Sequence, residues 1–423
     1  MSPASGFLLS GNANNSANAG FVYANSNNTP SNTNANISSH LCFFLSAGET
    51  LPTGQKIEFK TVLVATRAKT PSTKNKVKMK RIGNLYEKII TLENLRLADE
   101  RARKGKRNSY GVRLHDRNRE ENILRLHEIL KKREFKTSEY HVFKIYEPKE
   151  REIYRLPYYP DRIVHHAIMN ILEPIWVSVF TADTYSCIKG RGINGAMQKV
   201  KKAIKNDPEN TRYCLKIDIR KYYPSINHAI MQEIVERKIK CIPTMDLLCE
   251  IIRSAMGVPI GNYLSQYFAN LFLAYLDHVI KEVLKVKYYF RYADDMTFFA
   301  ATKEELHEIL AAVRKYLDEK LKLEIKSNYQ IFPIADHHRA GRGRGLDFVG
   351  YVFYRNETRI RKSIKMNFVR KAAVINRRQM STKQYTMHLA PWLGWCKYSN
   401  SKKLVYKLIK KEHYESILQR LAS

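Results

Sequence analysis

The sequence predicts an α+β protein: helices come first, a small sheet carrying clustered acids follows, and a helical tail closes the chain. Two observations carry this. Dense apolar and aromatic runs lead up to Asp twice, in Tyr213-Cys-Leu-Lys-Ile-Asp218 and in Tyr289-Phe-Arg-Tyr-Ala-Asp-Asp295-Met-Thr-Phe-Phe-Ala300, as short buried strands would. In the second, Ala293-Asp294-Asp295 interrupts two such runs, the pattern of a β-hairpin with acids at its tip. Between and beyond these runs, apolar residues recur at helical spacing.

In chain order, residues 1–78 read as a low-complexity extension followed by a basic linker. From Met1 to Gln55 the one charged residue is Glu49, and ten Asn fall between Asn12 and Asn36, so the stretch can bury little apolar area and is expected to be disordered. Residues 56–80 are basic around the short run Val62-Leu-Val-Ala65. A second region, 79–212, opens with helical periodicity at Leu85, Ile89, Leu92 and Leu95, then a basic run from Arg101 to Arg107. A helix over 119–132 follows, with Ile123, Leu124, Leu126 and Leu130 on its apolar face. Strand-like Tyr140–Tyr146 leads into Lys149-Glu-Arg-Glu-Ile-Tyr-Arg-Leu-Pro157, and helices are expected over 162–180 and 195–205. The third region, 213–360, holds the Asp218 strand, a helix over 226–238, a Gly261-Asn262 turn, an apolar helix over 264–284, the Asp294-Asp295 hairpin, an amphipathic helix over 303–321 and a strand pair within 351–360. The fourth, 361–423, is basic and helical.

Lys and Arg number 73 against 40 acids, a net charge of +33. With 11 % aromatic residues, that charge points to a polyanionic partner, most simply nucleic acid. No uninterrupted apolar run approaches the ~18 residues of a membrane span, and no basic-then-apolar leader opens the chain. The six cysteines are scattered without a C-x-x-C, which fits reduced thiols in a cytoplasmic protein better than disulfides or a zinc site.

Burying two or three carboxylates together is costly unless cations neutralise them. Two divalent ions roughly 3.5–4 Å apart would do so, and would suit an in-line displacement at phosphorus. A lone Asp-Asp pair is ordinarily a solvated turn; one inside an apolar hairpin, matched by an upstream Asp at a strand end, is not.

Seven segments in a fixed order make the chain resemble the bacterial, group-II-intron-like reverse transcriptases. They are Asp161-Arg162, Ser186-Cys-Ile-Lys-Gly-Arg-Gly192, the Asp218 strand, Gly257-Val-Pro-Ile-Gly-Asn-Tyr-Leu-Ser-Gln266, Tyr292-Ala-Asp-Asp295, Leu323-Glu-Ile-Lys326 and Leu346-Asp-Phe-Val-Gly-Tyr351. The resemblance spans about 79–413 and implies a right-hand polymerase architecture: fingers, palm and helical thumb. It implies Asp218, Asp294 and Asp295 as the catalytic metal-binding triad for two Mg²⁺ (Mn²⁺ as a substitute), with the Ile219 carbonyl as a further ligand. Tyr223 falls at the steric-gate position under the sugar, or packs in the core beside Tyr222. Lys149, Arg151, Lys189 and Arg191 fall in finger segments that would meet the triphosphate, or serve general backbone binding; Arg forks suit phosphate oxygens. Lys326 would neutralise or protonate the departing pyrophosphate, or is a solvated charge. Phe348, Val349, Gly350 and Tyr351 correspond to the primer grip, where Gly350 allows close backbone approach or serves a bulge. Trp392 and Trp395 are expected to pack the thumb rather than stack on a base.

Ile260, Gly261 and Gln266 narrow the resemblance. Most such enzymes have Gln where this chain has Ile260 and Pro where it has Gln266; the Ile-Gly-x-x-x-Ser-Gln form resembles reverse transcriptases of diversity-generating retroelements. These make adenine-mutagenic cDNA from a template-repeat RNA, with an accessory variability determinant protein as partner beside template RNA, RNA/cDNA duplex and dNTPs. An amide at 260 would hydrogen-bond the incoming nucleotide, whereas Ile offers apolar contact alone. The Asn-rich stretch ending in Asn36-Ile-Ser-Ser-His-Leu-Cys-Phe43 looks like a translated template repeat, which would place the natural start at Met79; the alternative is a genuine disordered tail. The alternatives are a retron or intron-type reverse transcriptase and, in another class, an RNA-binding scaffold. The retron Asn-Ala-x-x-His and Val-Thr-Gly signatures and a Cys/His module after the thumb are not found, and intact acids argue against a scaffold.

Overall fold

The computed structural model describes residues 81–146 and 150–422. The expected 1–78 extension and Lys149 lie outside the described residues. The chain begins with helices α1 (Tyr86–Ile90), α2 (Leu92–Ala102), α3 (Tyr110–Asp116) and α4 (Arg119–Lys131). The ribbon β1 (His141–Tyr146) and β2 (Glu150–Arg155) follows, then α5 (Ile163–Val177) and α6 (Gly192–Asn206). Next come β3 (Tyr213–Asp218), α7 (Tyr222–Ser225), α8 (His228–Glu236), α9 (Ile242–Ile252) and α10 (Tyr263–His278). The hairpin β4 (Tyr288–Tyr292) and β5 (Asp295–Ala300) leads to α11 (Lys303–Tyr316) and β6 (Gln330–Pro333). Short strands β7 (Leu346–Phe348), β8 (Tyr351–Phe353) and β9 (Thr358–Ile360) precede α12 (Lys362–Asn376), α13 (Thr382–Lys397), α14 (Lys402–Leu408) and α15 (Tyr414–Ala422).

The central sheet is antiparallel, in the order β4-β5-β3-β6. Both faces are covered, so its strands are apolar nearly throughout, and the period of two decides which core each residue joins. Leu215, Ile217, Met296, Phe298 and Tyr289 point to one face and pack with Phe268 and Phe272 of α10 and Leu306 and Leu310 of α11. Cys214, Phe290, Phe299 and Phe332 point to the other, where α6, the β7–β9 sheet and α12–α13 close a second core through Val200, Leu346, Phe368 and Leu389. Asp218 lies on the Cys214 side of β3 by the same alternation and directly opposite Asp295.

Several expected boundaries shift. The 264–284 helix is α10 followed by a separate turn of wider pitch, Val279–Val283, and the 195–205 helix begins three residues earlier, at Gly192. Among the elements not anticipated, α9 and β6 have clear physical reasons. In α9, Pro243 occupies the first turn and Met245, Leu248, Ile251 and Ile252 form the buried face. In β6, an edge strand, the ladder tolerates Pro333 because one side of an edge strand goes unpaired. Gly350 serves no bulge. Phe348 pairs directly with Tyr351, and Val349 and Gly350 form a two-residue turn with φ of 44° and 86°, both left-handed as a type I′ hairpin requires. A Cβ on Gly350 would sit 2.5 Å from the Trp395 ring, so the close approach there is to Trp395. Trp395 is buried and Trp392 lies parallel to Phe368, both within the C-terminal helices' packing, as the sequence suggested.

Candidate active site

The acids gather because each stands where a strand stops. Asp218 ends β3, Asp295 begins β5, and Asp294 sits in the turn between β4 and β5, whose first residue, Ala293, takes φ of 55°. Arg291 holds that turn from beneath: it is fully buried and its Nη1 donates to the Ala293 carbonyl at 3.1 Å. Its guanidinium is fixed in turn by Asp277 of α10, which also accepts from the Tyr289 and Thr184 hydroxyls at 2.7 and 2.8 Å.

Asp218 and Asp294 interact across the sheet edge, and burial together with the Asp218 charge holds the Asp294 carboxyl well above the ordinary carboxylate range. Asp295 is also shifted up by burial, against the pull of Lys216. Both carboxylate oxygens of Asp294 and Oδ1 of Asp295 are buried with no hydrogen-bond partner. Such atoms are rare unless an ion or water completes them. The nearest cations are lysines. Lys326 Nζ lies 2.7 Å from Asp218 Oδ2, and Lys216 Nζ 3.2 Å from Asp295 Oδ2. Among the described residues no three His, Cys, Asp or Glu form a ready-made cage. Mg²⁺ does not need one: it keeps several waters and is ordinarily held by one or two carboxylates plus substrate phosphates. Two adjacent carboxylates with partnerless oxygens fit that demand.

Lys326 is therefore no solvated charge. Its amide donates to the Asp218 carbonyl at 2.9 Å, an Ile219–Ile325 bridge continues the ladder past β3, and its side chain is 12 % exposed. Lys216 was not anticipated, though its position two residues before Asp218 puts it on the same strand face. It also donates to the Asp347 carbonyl, while Arg361 pairs with the Asp347 carboxylate at 2.6 Å and donates its amide to the Gly350 carbonyl at 2.9 Å. Phe348, Val349, Gly350 and Tyr351 are thereby tied to the acids through Asp347.

Tyr223 is half-buried, edge-on to the fully buried Tyr222 at 5.5 Å, and its carbonyl accepts from Val258 at 2.9 Å. That bond joins the Asp218 segment to the 257–266 loop. In this loop Ile260 is half-buried and accepts through its carbonyl from the Tyr154 amide at 2.8 Å. Gly261 has φ of 130°, and a Cβ there would lie 2.2 Å from the Tyr154 carbonyl, so only glycine lets the loop lie this close to β2. Gln266 is buried in the first turn of α10. Of the finger candidates, Arg151 is buried on β2 opposite Ile145 and Lys189 is exposed. Arg191 instead builds a turn, its Nη1 donating to the Thr181 and Thr184 carbonyls. The structure thus brings Asp218, Ile219, Asp294, Asp295 and Lys326 to one sheet end, with Tyr223 and the Ile260 loop linked to it, and gives Arg191 other partners.

Residues 147–329, which contain all three acids and Lys326, match the family model described as reverse transcriptase (RNA-dependent DNA polymerase), so the chain contains a reverse transcriptase domain. It is similar to protein YkfC of Escherichia coli (strain K12), 24 % identical over 263 residues that span 51 % of this chain and 67 % of YkfC. It is also similar to the group II intron-encoded protein LtrA of Lactococcus lactis subsp. cremoris, 25 % identical over 144 residues, 31 % of this chain and 23 % of LtrA. Among solved structures it is similar to apo telomerase from Candida Tropicalis, with a TM-score of 0.40 and 11 % identity over 68 % of this chain and 62 % of that one. Among the described residues, no helix is long and apolar enough to cross a membrane.

Proposed function

We propose that this chain is an RNA-directed DNA polymerase with a two-metal mechanism, and that the central sheet is its palm, the helices and ribbon before it the fingers, and α12–α15 the thumb. The observation that carries the reading is the partnerless pair of buried Asp294 oxygens beside Asp218, flanked by Asp295 and Lys326. Asp218, Asp294 and the Ile219 carbonyl would hold one Mg²⁺, and Asp295 would share in the second. The chemistry supplied there by two divalent ions is lowering the pKa of an attacking hydroxyl and neutralising charge on the leaving oxygens. Lys326, held at Asp218, would give a proton to departing pyrophosphate. Tyr223, rigid against Tyr222, would lie under the sugar and exclude a 2′-hydroxyl. Primer extension on an RNA template with dNTPs and Mg²⁺ tests this; product from the wild type that persists in Asp218→Ala would overturn it.

Within that activity, we propose the mutagenic enzyme of a diversity-generating retroelement, acting with an accessory variability determinant protein on a template-repeat RNA. Ile260, Gly261 and Gln266 support it, because the loop is fixed to β2 by its backbone, leaving the half-buried Ile260 side chain as the variable part. Ile260→Gln should lower misincorporation opposite template adenine several-fold while extension persists, since a hydrogen bond worth about 1 kcal/mol would again check the nascent pair. Sequencing cDNA from an adenine-bearing template reads this directly, and unchanged adenine errors in a folded, active variant would uncouple Ile260 from fidelity. The likeness to LtrA favours the second reading, an intron-type enzyme; uniformly low error at all four template bases would support it.

A further inference from the structure

Away from the acids, Arg162, His165 and Arg155 line a small cleft floored by Gly261 and closed by Tyr154 and Tyr263. Arg162 Nε and Nη2 and His165 Nε2 are buried without a hydrogen-bond partner, and His165 is only 2 % exposed. Among the described residues no carboxylate lies within ion-pair distance of Arg162. Asp161, its neighbour in sequence, turns to the Ser138 amide at 2.9 Å, and Asp99, nearby through Tyr158, is taken by Arg103 and Arg119. The surroundings are themselves basic: Lys106 is held well below its ordinary range by burial and by the charges of Arg162 and Arg155. Burial pushes the His165 imidazole down to about 3, so at neutral pH it is uncharged and can act as a donor. A fixed guanidinium with no counter-ion is costly to bury, and an anion completes it.

We propose that this cleft takes one phosphodiester group of an RNA strand, bound by Arg162 and His165 with Arg155 at the rim. The proposal rests on the polymerase reading above. Charge decides which phosphate it takes. One half-buried guanidinium, with Nε and Nη2 buried, beside a neutral imidazole balances the single charge of a phosphodiester. A triphosphate would need a carboxylate-held ion, and no carboxylate lines the cleft. The location fits as well, because the floor is the backbone of the same 257–263 loop that carries Ile260, so a strand held here runs past that residue.

The test compares wild type, Arg162→Gln, His165→Phe and an exposed control, Lys403→Gln, for binding of a short single-stranded RNA between 50 and 200 mM salt. Arg162→Gln should weaken binding about tenfold at low salt and lower the slope of log affinity against log salt by about 0.7, the value for one phosphate contact on a single strand. His165→Phe should weaken binding several-fold with the slope unchanged, and Lys403→Gln should do neither. Without RNA, Arg162→Gln should melt at or above the wild-type temperature, because it removes an uncompensated buried charge. Inorganic phosphate at constant ionic strength should raise the wild-type melting temperature and not that of the variant. A lower melting temperature with unchanged RNA affinity would make Arg162 a core residue and overturn the proposal. Phosphate stabilisation with an unchanged salt slope would mean a free-anion site and would overturn the assignment to RNA. Weak, salt-insensitive RNA binding by the wild type itself would strike the polymerase reading instead.

Discussion

Asp294→Asn should give a protein that binds RNA like the wild type, melts at a higher temperature without metal, and extends primers at least about a thousandfold more slowly. The loss follows from removing a charge that divalent ions need; several kcal/mol of transition-state stabilisation corresponds to about three decades in rate. The stability gain follows from the Asp294 carboxyl being held well above the ordinary carboxylate range by burial and by Asp218. A carboxyl raised in the folded state favours folding while it keeps its proton, and that contribution disappears as pH rises through the folded-state value. Metal-free wild type should therefore lose stability as pH climbs above the ordinary carboxylate range of about 4, and Asn, which cannot ionise, should flatten the dependence. Mg²⁺ should restore the wild type at pH 8 and leave the variant unmoved. Melting curves at pH 5 and pH 8, with chelator or with Mg²⁺, separate these outcomes. A variant less stable than metal-free wild type at pH 8 would show that the acids are not in conflict.

The acids were legible in sequence for the same reason that they are costly in structure. Asp218 and the Asp294-Asp295 pair break apolar runs that folding alone would leave unbroken; which face Asp218 takes follows from the strand period once β3 is in the sheet. Lys216 obeyed the same period but was passed over, because one lysine among so many basic residues carries no signal until a sheet sets it against Asp295. The same dilution hid the difference between Arg191, which builds a turn, and Arg162, whose Nε and Nη2 are buried with unmade hydrogen bonds. Sequence spacing cannot tell an arginine paired with backbone from one waiting for an anion; only the surrounding packing does. β6 escaped because a four-residue edge strand ending in Pro333 barely alternates. The separate end of α10 escaped because Val279–Val283 keeps the apolar spacing while its backbone widens. Val349 in the left-handed region was not foreseeable either, since a β-branched residue is the last to expect there.

Asp277→Ala should destabilise the fold by about 3–5 kcal/mol, the cost of leaving a buried charge without its partner. Asp277 and Arg291 are both fully buried, 2.5 Å apart. Asp277 also receives the Tyr289 and Thr184 hydroxyls, while Arg291 reaches Asn270 at 3.2 Å and the Ala293 carbonyl at 3.1 Å. Alanine removes every acceptor that neutralises the guanidinium, and against a total stability of about 5–15 kcal/mol the variant should be partly unfolded at 37 °C. Replacing both partners with apolar residues, Asp277→Leu with Arg291→Met, removes the stranded charge and should recover most of the loss in a denaturant titration. Polymerisation should not recover with it. Without Arg291 the Ala293 carbonyl loses its buried donor, and the turn that presents Asp294 loosens by the fraction of an ångström that metal geometry does not forgive. A double variant that is both stable and fully active would show the pair to be packing alone; one that is stable and at least tenfold slower would show that the buried charge is retained to aim the acid.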